Sequence, residues 1–355
     1  MTNLDKKMHP EEYISVVMST YNDEIFIEES IKSILYQSHQ NFEFIIINDG
    51  SSDNTLEIIN KYAQIDTRIR IVSRENQGLS RSLNEGYKLA QGQWIARMDA
   101  DDISDQNRLE KQLAWVQLQG ADICGTWIEM FGAQQRIKRY FTEDRQIKAE
   151  LLFGSPIGHA TVLMRSSLAK SLQYDPRCKH AEDYDYFERA AKVGWKFTNI
   201  PEILYRYRFH QKQTSTAKFN EQQLVSQEVR KRLWNSMASF YQLSHDEIVT
   251  VMNLRDREPS RKVNINTISI VFDKILLKSR DDERVVILEN IIPLYMRVGG
   301  SGTKVYFSLN DLYRKYYKKL PVSTSLQLLF LGIFRVHANS FLYRHLQSLY
   351  FKFSL

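Results

Sequence analysis

The sequence predicts an α/β protein, with a mostly parallel sheet flanked by helices, followed by a helical C-terminal extension. Two observations predict it. Up to about residue 120, short β-branched runs alternate with segments of helical periodicity. Past about residue 217, only helical patterns remain. Strands and helices alternating at this interval form right-handed βαβ units, and such units build parallel sheets.

The elements follow in order. Residues 14–18 (ISVVM) read as a buried strand, and Ile27, Ile31, Ile34 and Leu35 mark the helix after it. Residues 42–47 (FEFIII) are a second strand, followed by a helix carrying Leu56, Ile58, Ile59 and Tyr62. Residues 69–72 are a third strand, and Leu83, Tyr87 and Leu89 mark the next helix. Residues 94–96 (WIA) are a fourth. Residues 158–164 (GHATVLM) read as a later strand, residues 204–207 as another, and a helix opens at residue 181 with Phe187, Ala190, Ala191 and Val193. Ser244 with Glu247 forms a capping box. The expected domains are a catalytic one over 1–216, a helical extension over 217–303 and a basic amphipathic tail over 304–355.

Each of the first four strands runs straight into polar residues: 19–23 (STYND), 48–53 (NDGSSD), 74–78 (RENQG) and 99–102 (DADD). In parallel sheets, ligands bind beyond the carboxyl ends of the strands. These loops should therefore share one crevice.

The acidic loop is the most telling. Asp99, Asp101 and Asp102 crowd together after an apolar strand, and unpaired buried carboxylates cost several kcal/mol. A divalent cation, Mg²⁺ or Mn²⁺, would relieve the repulsion and anchor a diphosphate. An acidic helix N-terminus stabilised by the helix dipole explains the same residues. Likewise 48–53 is either a tight turn with an N-cap or a site where an Asp accepts a base N–H. Tyr21 is either a surface tyrosine or a platform for a base.

Taken together, Thr20-Tyr21-Asn22, Asp49 to Asp53, Asn76 with Gly78, Asp99 to Asp102 and Glu182-Asp183 resemble, in order and spacing, the family 2 glycosyltransferases. The resemblance covers roughly residues 13–215. It implies a GT-A fold and inverting sugar transfer from a nucleotide-diphosphate sugar, UDP-linked. It implies that Thr20, Tyr21, Asn22 and Asp49 line the base, with Arg74, Asn76, Gly78 and Arg81 near base or diphosphate. Asp99 and Asp101 correspond to the D-x-D pair, the first touching ribose and metal and the second holding the metal. Asp102 is similar to a third acid there, with Arg97 upstream to balance it. Asp183 matches the catalytic base, with Glu182 and Asp185 as substitutes. His159 lies in a segment similar to one beneath the acceptor site, and its ordinary reading is structural. His210 fits a late metal ligand and otherwise reads as a loop histidine. Ser215 and Thr216 would help close the site.

Composition bounds the rest. Hydrophobic residues make up 43% and charged residues 25%, which suits a globular core rather than a disordered chain. Cys124 and Cys178 form no metal pattern, so a reducing compartment is expected. Residues 1–13 contain no apolar core, and no apolar run approaches the roughly 18 residues of a spanning helix. The net charge is +6. Residues 304–355 hold eight Lys/Arg and one acid, or +7, leaving 40 basic and 41 acidic residues elsewhere, or −1. The basic balance thus belongs to the tail, which argues against a nucleic-acid partner.

In that tail, residues 312–320 interleave basic and aromatic side chains, and residues 326–334 and 341–353 are strongly apolar. Two helices with a break near Asn339 are expected. They suit an anionic membrane surface, with a helical lid or dimer contact as the alternative. The expected location is cytoplasmic, peripheral to the inner face of the cell membrane, with a lipid-linked glycan as acceptor. Residues 298–304 (VGGSGTK) mimic a phosphate loop without its Gly-Lys-Ser/Thr ending and read as a turn. A nucleotidyltransferase would use the same sheet and metal, but its Gly-rich basic loop is missing from 19–23. An inactive membrane-bound scaffold is the non-enzymatic alternative.

Overall fold

The computed structural model describes residues 12–210, 218–255, 264–336 and 340. The chain divides into two compact units, Met1–Ser226 and Gln227–Leu355.

In the first unit the expected alternation appears: β1 (Ile14–Thr20), α1 (Ile27–Leu35), β2 (Phe42–Asn48), α2 (Thr55–Ile65), β3 (Ile69–Ser73), α3 (Leu79–Leu89) and β4 (Trp94–Asp99). There follow β5 (Ile103–Ser104), α4 (Arg108–Gln119), β6 (Ile123–Gly132), β7 (Arg136–Lys138), α5 (Asp144–Glu150), β8 (Leu163–Arg165), α6 (Ser166–Leu172), α7 (Glu182–Lys192) and β9 (Phe197–Phe209). All nine strands form one sheet in the order β3-β2-β1-β4-β8-β6-β9-β5, with β7 paired to β6.

The β3-β2-β1-β4 half is parallel throughout. Every residue of β2 is buried, which is why Phe44 to Ile47 are apolar in a row instead of alternating, while buried Glu43 accepts from Ser15 Oγ at 2.6 Å. The other half is mixed: β8 pairs antiparallel with β4 and β6, and β5 with β9, while β6 and β9 run parallel. The mostly parallel expectation therefore holds for one half of the sheet only. The segment 158–164 is also corrected. Its first part is a 3-10 turn, His159–Thr161, with the Thr161 hydroxyl donating to the Gly158 carbonyl at 2.8 Å. Only Leu163 and Met164 of that run enter β8.

Strand order places β1 between β2 and β4, so the loops after all three lie side by side at one edge. Gly50 makes the second of these loops possible. Its φ is +79°, and a Cβ there would lie 2.7 Å from the Asn76 nitrogen, so the loops after β2 and β3 meet through a missing side chain.

The second unit is helical, containing α9 (His245–Arg255), α10 (Ile265–Lys278), α11 (Asp281–Arg297), α12 (Lys304–Tyr316) and α13 (Val322–Phe334). The helix preceding them, α8 (Phe219–Tyr241), straddles the division between the units. The Ser244 capping box is formed, with the Ser244 N–H donating to Glu247 at 2.8 Å and the Glu247 N–H returning to Ser244 Oγ at 3.2 Å. Trp234 is buried edge-to-face on Phe272, 6.4 Å between centroids. α12 buries Val305, Leu309, Leu312 and Tyr313, so this first part of the basic stretch is packed into the unit. The glycines of 298–304 serve a helix contact: Gly299 faces Leu331, and Gly332 lies against the Gly302–Thr303 backbone. α13 ends at Arg335, which adopts the left-handed conformation at φ 51°. Asn339 and residues 341–355, where a break and a second helix were expected, lie outside the described residues.

Candidate active site

The loop after β1 is folded around Asp23. Its Oδ2 accepts from Thr20 Oγ1 at 2.8 Å and from the Tyr21 N–H at 3.0 Å. Asn22, in the left-handed region at φ 58°, binds this loop to the next one. Its N–H donates to Ser51 Oγ at 3.0 Å and its Oδ1 accepts from the Ser52 N–H at 2.8 Å. Tyr21 stands exposed at the rim. The Asp23 carboxyl is pushed up to about 6, first by burial and then by repulsion from Asp101 and Asp99, against the Thr20 and Tyr21 hydrogen bonds.

Asp49, just past β2, is buried. It accepts from the Gln77 and Gly78 N–H groups, each at 2.9 Å, and pairs with the Arg74 guanidinium. Arg74 also contacts Glu85 at 2.7 Å and Ser82 Oγ at 2.9 Å. The structure thus gathers Asp49, Arg74 and Gly78 into one cluster. Asn76 lies exposed beside it, and Arg81 is exposed on the first turn of α3.

At the end of β4, ligand oxygens of Asp99, Asp101 and Asp102 lie within 4.8 Å of one another. Asp99 is gripped by both Nη atoms of buried Arg97, at 2.6 and 3.1 Å, so Arg97 balances Asp99 and not Asp102 as expected. The Asp99 N–H donates to the Tyr205 hydroxyl at 3.2 Å. Asp101 Oδ2 lies 3.0 Å from His210 Nε2, bringing the distant histidine to the cluster.

Asp102 is fully buried. Its Oδ1 accepts from the Arg208 N–H at 2.7 Å. Its Oδ2 has no hydrogen-bond partner of good geometry among the described residues, although the Tyr205 hydroxyl is near enough to favour the ionised form. Burial first, then the charges of Asp101 and Asp99, push the Asp102 carboxyl well above the usual range. Burial also raises Asp99, opposed by Arg97.

Arg208 is a clamp on this loop. Its Nε donates to the Asp101 carbonyl at 2.8 Å, its guanidinium pairs with Glu29, and it lies 4.7 Å from the Phe26 ring and 4.5 Å from the Phe131 ring. Ser30 Oγ, from α1, sits 2.7 Å from the carbonyls of both Ala100 and Asp102. The donor set fits a hard divalent cation: it is rich in carboxylate oxygen, it is mutually repulsive, and one buried oxygen lacks a well-aligned partner among the described residues.

Across the site, α7 opens with Glu182, Asp183 and Asp185 in its first turn. Asp185 is buried against Arg189 at 2.7 Å, which makes it a structural acid rather than a substitute base. Asp183 is half-buried and within electrostatic range of Lys138, Tyr140 and Glu182. His159 Nε2 lies 2.8 Å from the Tyr174 hydroxyl, which lies 3.0 Å from that of Tyr87. Burial and the Arg97 charge hold His159 well below the usual imidazole range, so it is neutral. Ser215 and Thr216 lie outside the described residues.

Glu182 is buried, and its carboxyl is pushed up from 4.5 to about 7, chiefly by burial and then by Asp183. A carboxyl raised by folding contributes full stability below its unfolded value and loses it as pH rises through the folded value. The penalty therefore develops between pH 4.5 and about 7. It reaches at most roughly 3 kcal/mol, at 1.36 kcal/mol per unit. Glu182→Gln is expected to match wild-type stability near the bottom of this window and to exceed it above the top. Urea unfolding at the two extremes checks this, and an equal gap at both would refute it.

Asp23, Arg208, Glu29 and Tyr205 are the residues that sequence reasoning missed. Asp23 had a signal, as the acid closing the polar run after β1. Arg208 had only its adjacency to His210.

Comparison with known proteins agrees with this geometry. Residues 15–172 match the family described as Glycosyl transferase family 2. An uncharacterised glycosyltransferase of Haemophilus influenzae is 32% identical over 233 residues, 61% of this chain and 72% of that protein. The O-antigen biosynthesis glycosyltransferase WbnJ of Escherichia coli is 29% identical over 227 residues, 62% of this chain and 89% of that protein. Among solved structures, S. aureus TarS 1–349 in complex with UDP-GlcNAc aligns with a TM-score of 0.54 at 17% identity, over 90% of this chain and 91% of that one. Against a longer TarS chain the match spans 55% of its length. That likeness establishes the fold, a GT-A type α/β sheet with flanking helices. With the strand-edge acids, the family match and the extent of shared sequence in agreement, the chain belongs to glycosyl transferase family 2.

Proposed function

We propose that this glycosyltransferase moves a sugar, with inversion at the anomeric carbon, from a UDP-linked donor to a hydroxyl of a growing, lipid-linked surface glycan. The observation that carries the reading is the Asp99, Asp101, Asp102 and His210 constellation, set two strands from Asp49. Two strand spacings are about 10 Å, a span suited to a base at one end and a diphosphate at the other.

Each group then has a task. Asp49 fills three of roughly four acceptor positions with Arg74, Gln77 and Gly78, which leaves one for a base N–H. Thr20 and Asn22 shape the base pocket, and Tyr21 stacks at its rim. Arg74 and Gly78 hold Asp49 in place, with Asn76 and Arg81 towards the donor. Asp99, Asp101 and His210 would hold Mn²⁺ or Mg²⁺, with Asp102 supporting from below. When bound, the cation supplies Lewis-acid neutralisation of the departing diphosphate.

Asp183 takes the proton from the acceptor hydroxyl as its oxygen bonds to the anomeric carbon and the bond to the diphosphate oxygen breaks. Neutral His159 and Glu182 border the acceptor side. The UDP assignment draws on TarS, solved with UDP-GlcNAc, and the surface-glycan assignment on the O-antigen role of WbnJ. A lipid-linked acceptor places the enzyme at the inner face of the membrane.

Thermal unfolding with UDP tests the reading. UDP with Mn²⁺ at about 100 times its Kd should stabilise the protein by about 2.7 kcal/mol, and EDTA should reverse the gain. Equal stabilisation with and without metal would remove the cation's role. No stabilisation by any nucleotide sugar would favour an inactive scaffold.

A further inference from the structure

The second unit displays a helix without a charged face, its polar residues being Ser323, Thr324, Ser325 and Gln327. α13 (Val322–Phe334, VSTSLQLLFLGIF) has no charged residue along its length. Its buried side, through Thr324, Leu328, Leu331 and Gly332, packs into the unit. Its outward side is Val322, Leu326, Phe330, Ile333 and Phe334, with 75, 63, 37, 63 and 64% of each residue exposed. At about 100° per residue these positions fall on one arc roughly 120° wide. A surface helix normally carries charge on that arc, and a contiguous apolar patch marks a contact surface.

The charge around the patch names the partner. Exposed Lys318 and Lys319 precede the helix and exposed Arg335 follows it. From residue 312 to the C-terminus the sequence contains no acid. A patch of this kind facing another protein would need acidic complementarity at both ends. An anionic bilayer supplies an apolar interior and a negative headgroup layer at once.

We infer that the outward face of α13 is a membrane-docking surface, inserting Leu326, Phe330 and Ile333 among acyl chains while Lys318, Lys319 and Arg335 meet anionic headgroups. The inference supplies the membrane contact that the lipid-linked acceptor above requires, but it is read from the helix face alone. The outward side of α12 carries charge of both signs, Asp311 with Lys304, Arg314 and Lys315, so the docking element is α13 and not the whole basic stretch from residue 304.

The test uses the full chain and vesicles of phosphatidylcholine with or without about 30% phosphatidylglycerol. The protein should co-float with the anionic vesicles at least tenfold better than with the neutral ones. The double substitution Leu326→Glu/Ile333→Glu lies on exposed positions. It should leave the unfolding temperature and donor hydrolysis in solution unchanged while lowering vesicle affinity at least tenfold. Wild-type protein that stays off anionic vesicles, or a double variant that binds as well as wild type, overturns the proposal. So does light scattering that finds wild type dimeric and the variant monomeric, since a second copy would then cover the face. Vesicle binding needs no catalysis. A protein that docks but transfers nothing would sink the transferase reading and leave this one standing.

Discussion

Asp101→Asn should lose transfer while keeping its fold. Replacing one carboxylate oxygen by an amide weakens the cation's hold at the point where leaving-group charge appears. A loss of about 4 kcal/mol of transition-state stabilisation corresponds to roughly a 10³-fold fall in kcat/KM. Stability should move the other way. Asp101 is partly exposed, and its charge raises the carboxyls of Asp23, Asp99 and Asp102. Neutralising it relieves three repulsions and weakens one contact, to His210. The metal-free variant is therefore expected to melt at or above the wild-type temperature at pH 7. Steady-state kinetics with saturating Mn²⁺, beside a melting curve in EDTA, measures both. Transfer within tenfold of wild type would end the metal assignment for Asp101.

The second large effect is expected at Asp183. An Asn keeps the size of the side chain and its place in the first turn of α7 but cannot accept the hydroxyl proton. General-base catalysis is worth about 10²–10⁴-fold, so Asp183→Asn should lower kcat by that factor. Donor binding should persist, because the base acts on the acceptor. The pattern to seek is a lost kcat with an unchanged dissociation constant for UDP in the presence of Mn²⁺. A variant within tenfold of wild type would pass the role to Glu182, its buried neighbour. The cost to α7 itself is small, since one charge at a helix N-terminus contributes about 0.3–1 kcal/mol.

The two halves of the sheet were unequally legible. β1 to β4 announced themselves because βαβ units separate each apolar run from the next by an amphipathic helix. β6 did not, since its sequence ICGTWIEMFG mixes polar and apolar residues around an irregular register with β9. Residues 158–164 misled because burial on every side gives an apolar run with no period, and periodicity alone cannot tell a 3-10 turn from a strand. The strand-end loops were readable because acids gathered just past apolar strands carry a charge cost that a ligand-binding edge accounts for. The partners were not: Arg97 sits two residues from Asp99, but that they pair was not readable, and Arg208 on the loop and Asp101 with His210 join residues 107 and 109 apart, which only the folded sheet brings together.

The pairing of Arg97 with Asp99 bears on how such a chain can change over generations. Removing Asp99 alone leaves a guanidinium in the interior with no counter-charge, a defect of about 3–5 kcal/mol. Removing Arg97 alone leaves Asp99 to face its acidic neighbours unaided. Either single step costs stability as well as chemistry. A lineage drifting away from this reaction must cross that barrier by a double change, so the site's signature should outlast selection for the activity that first required it.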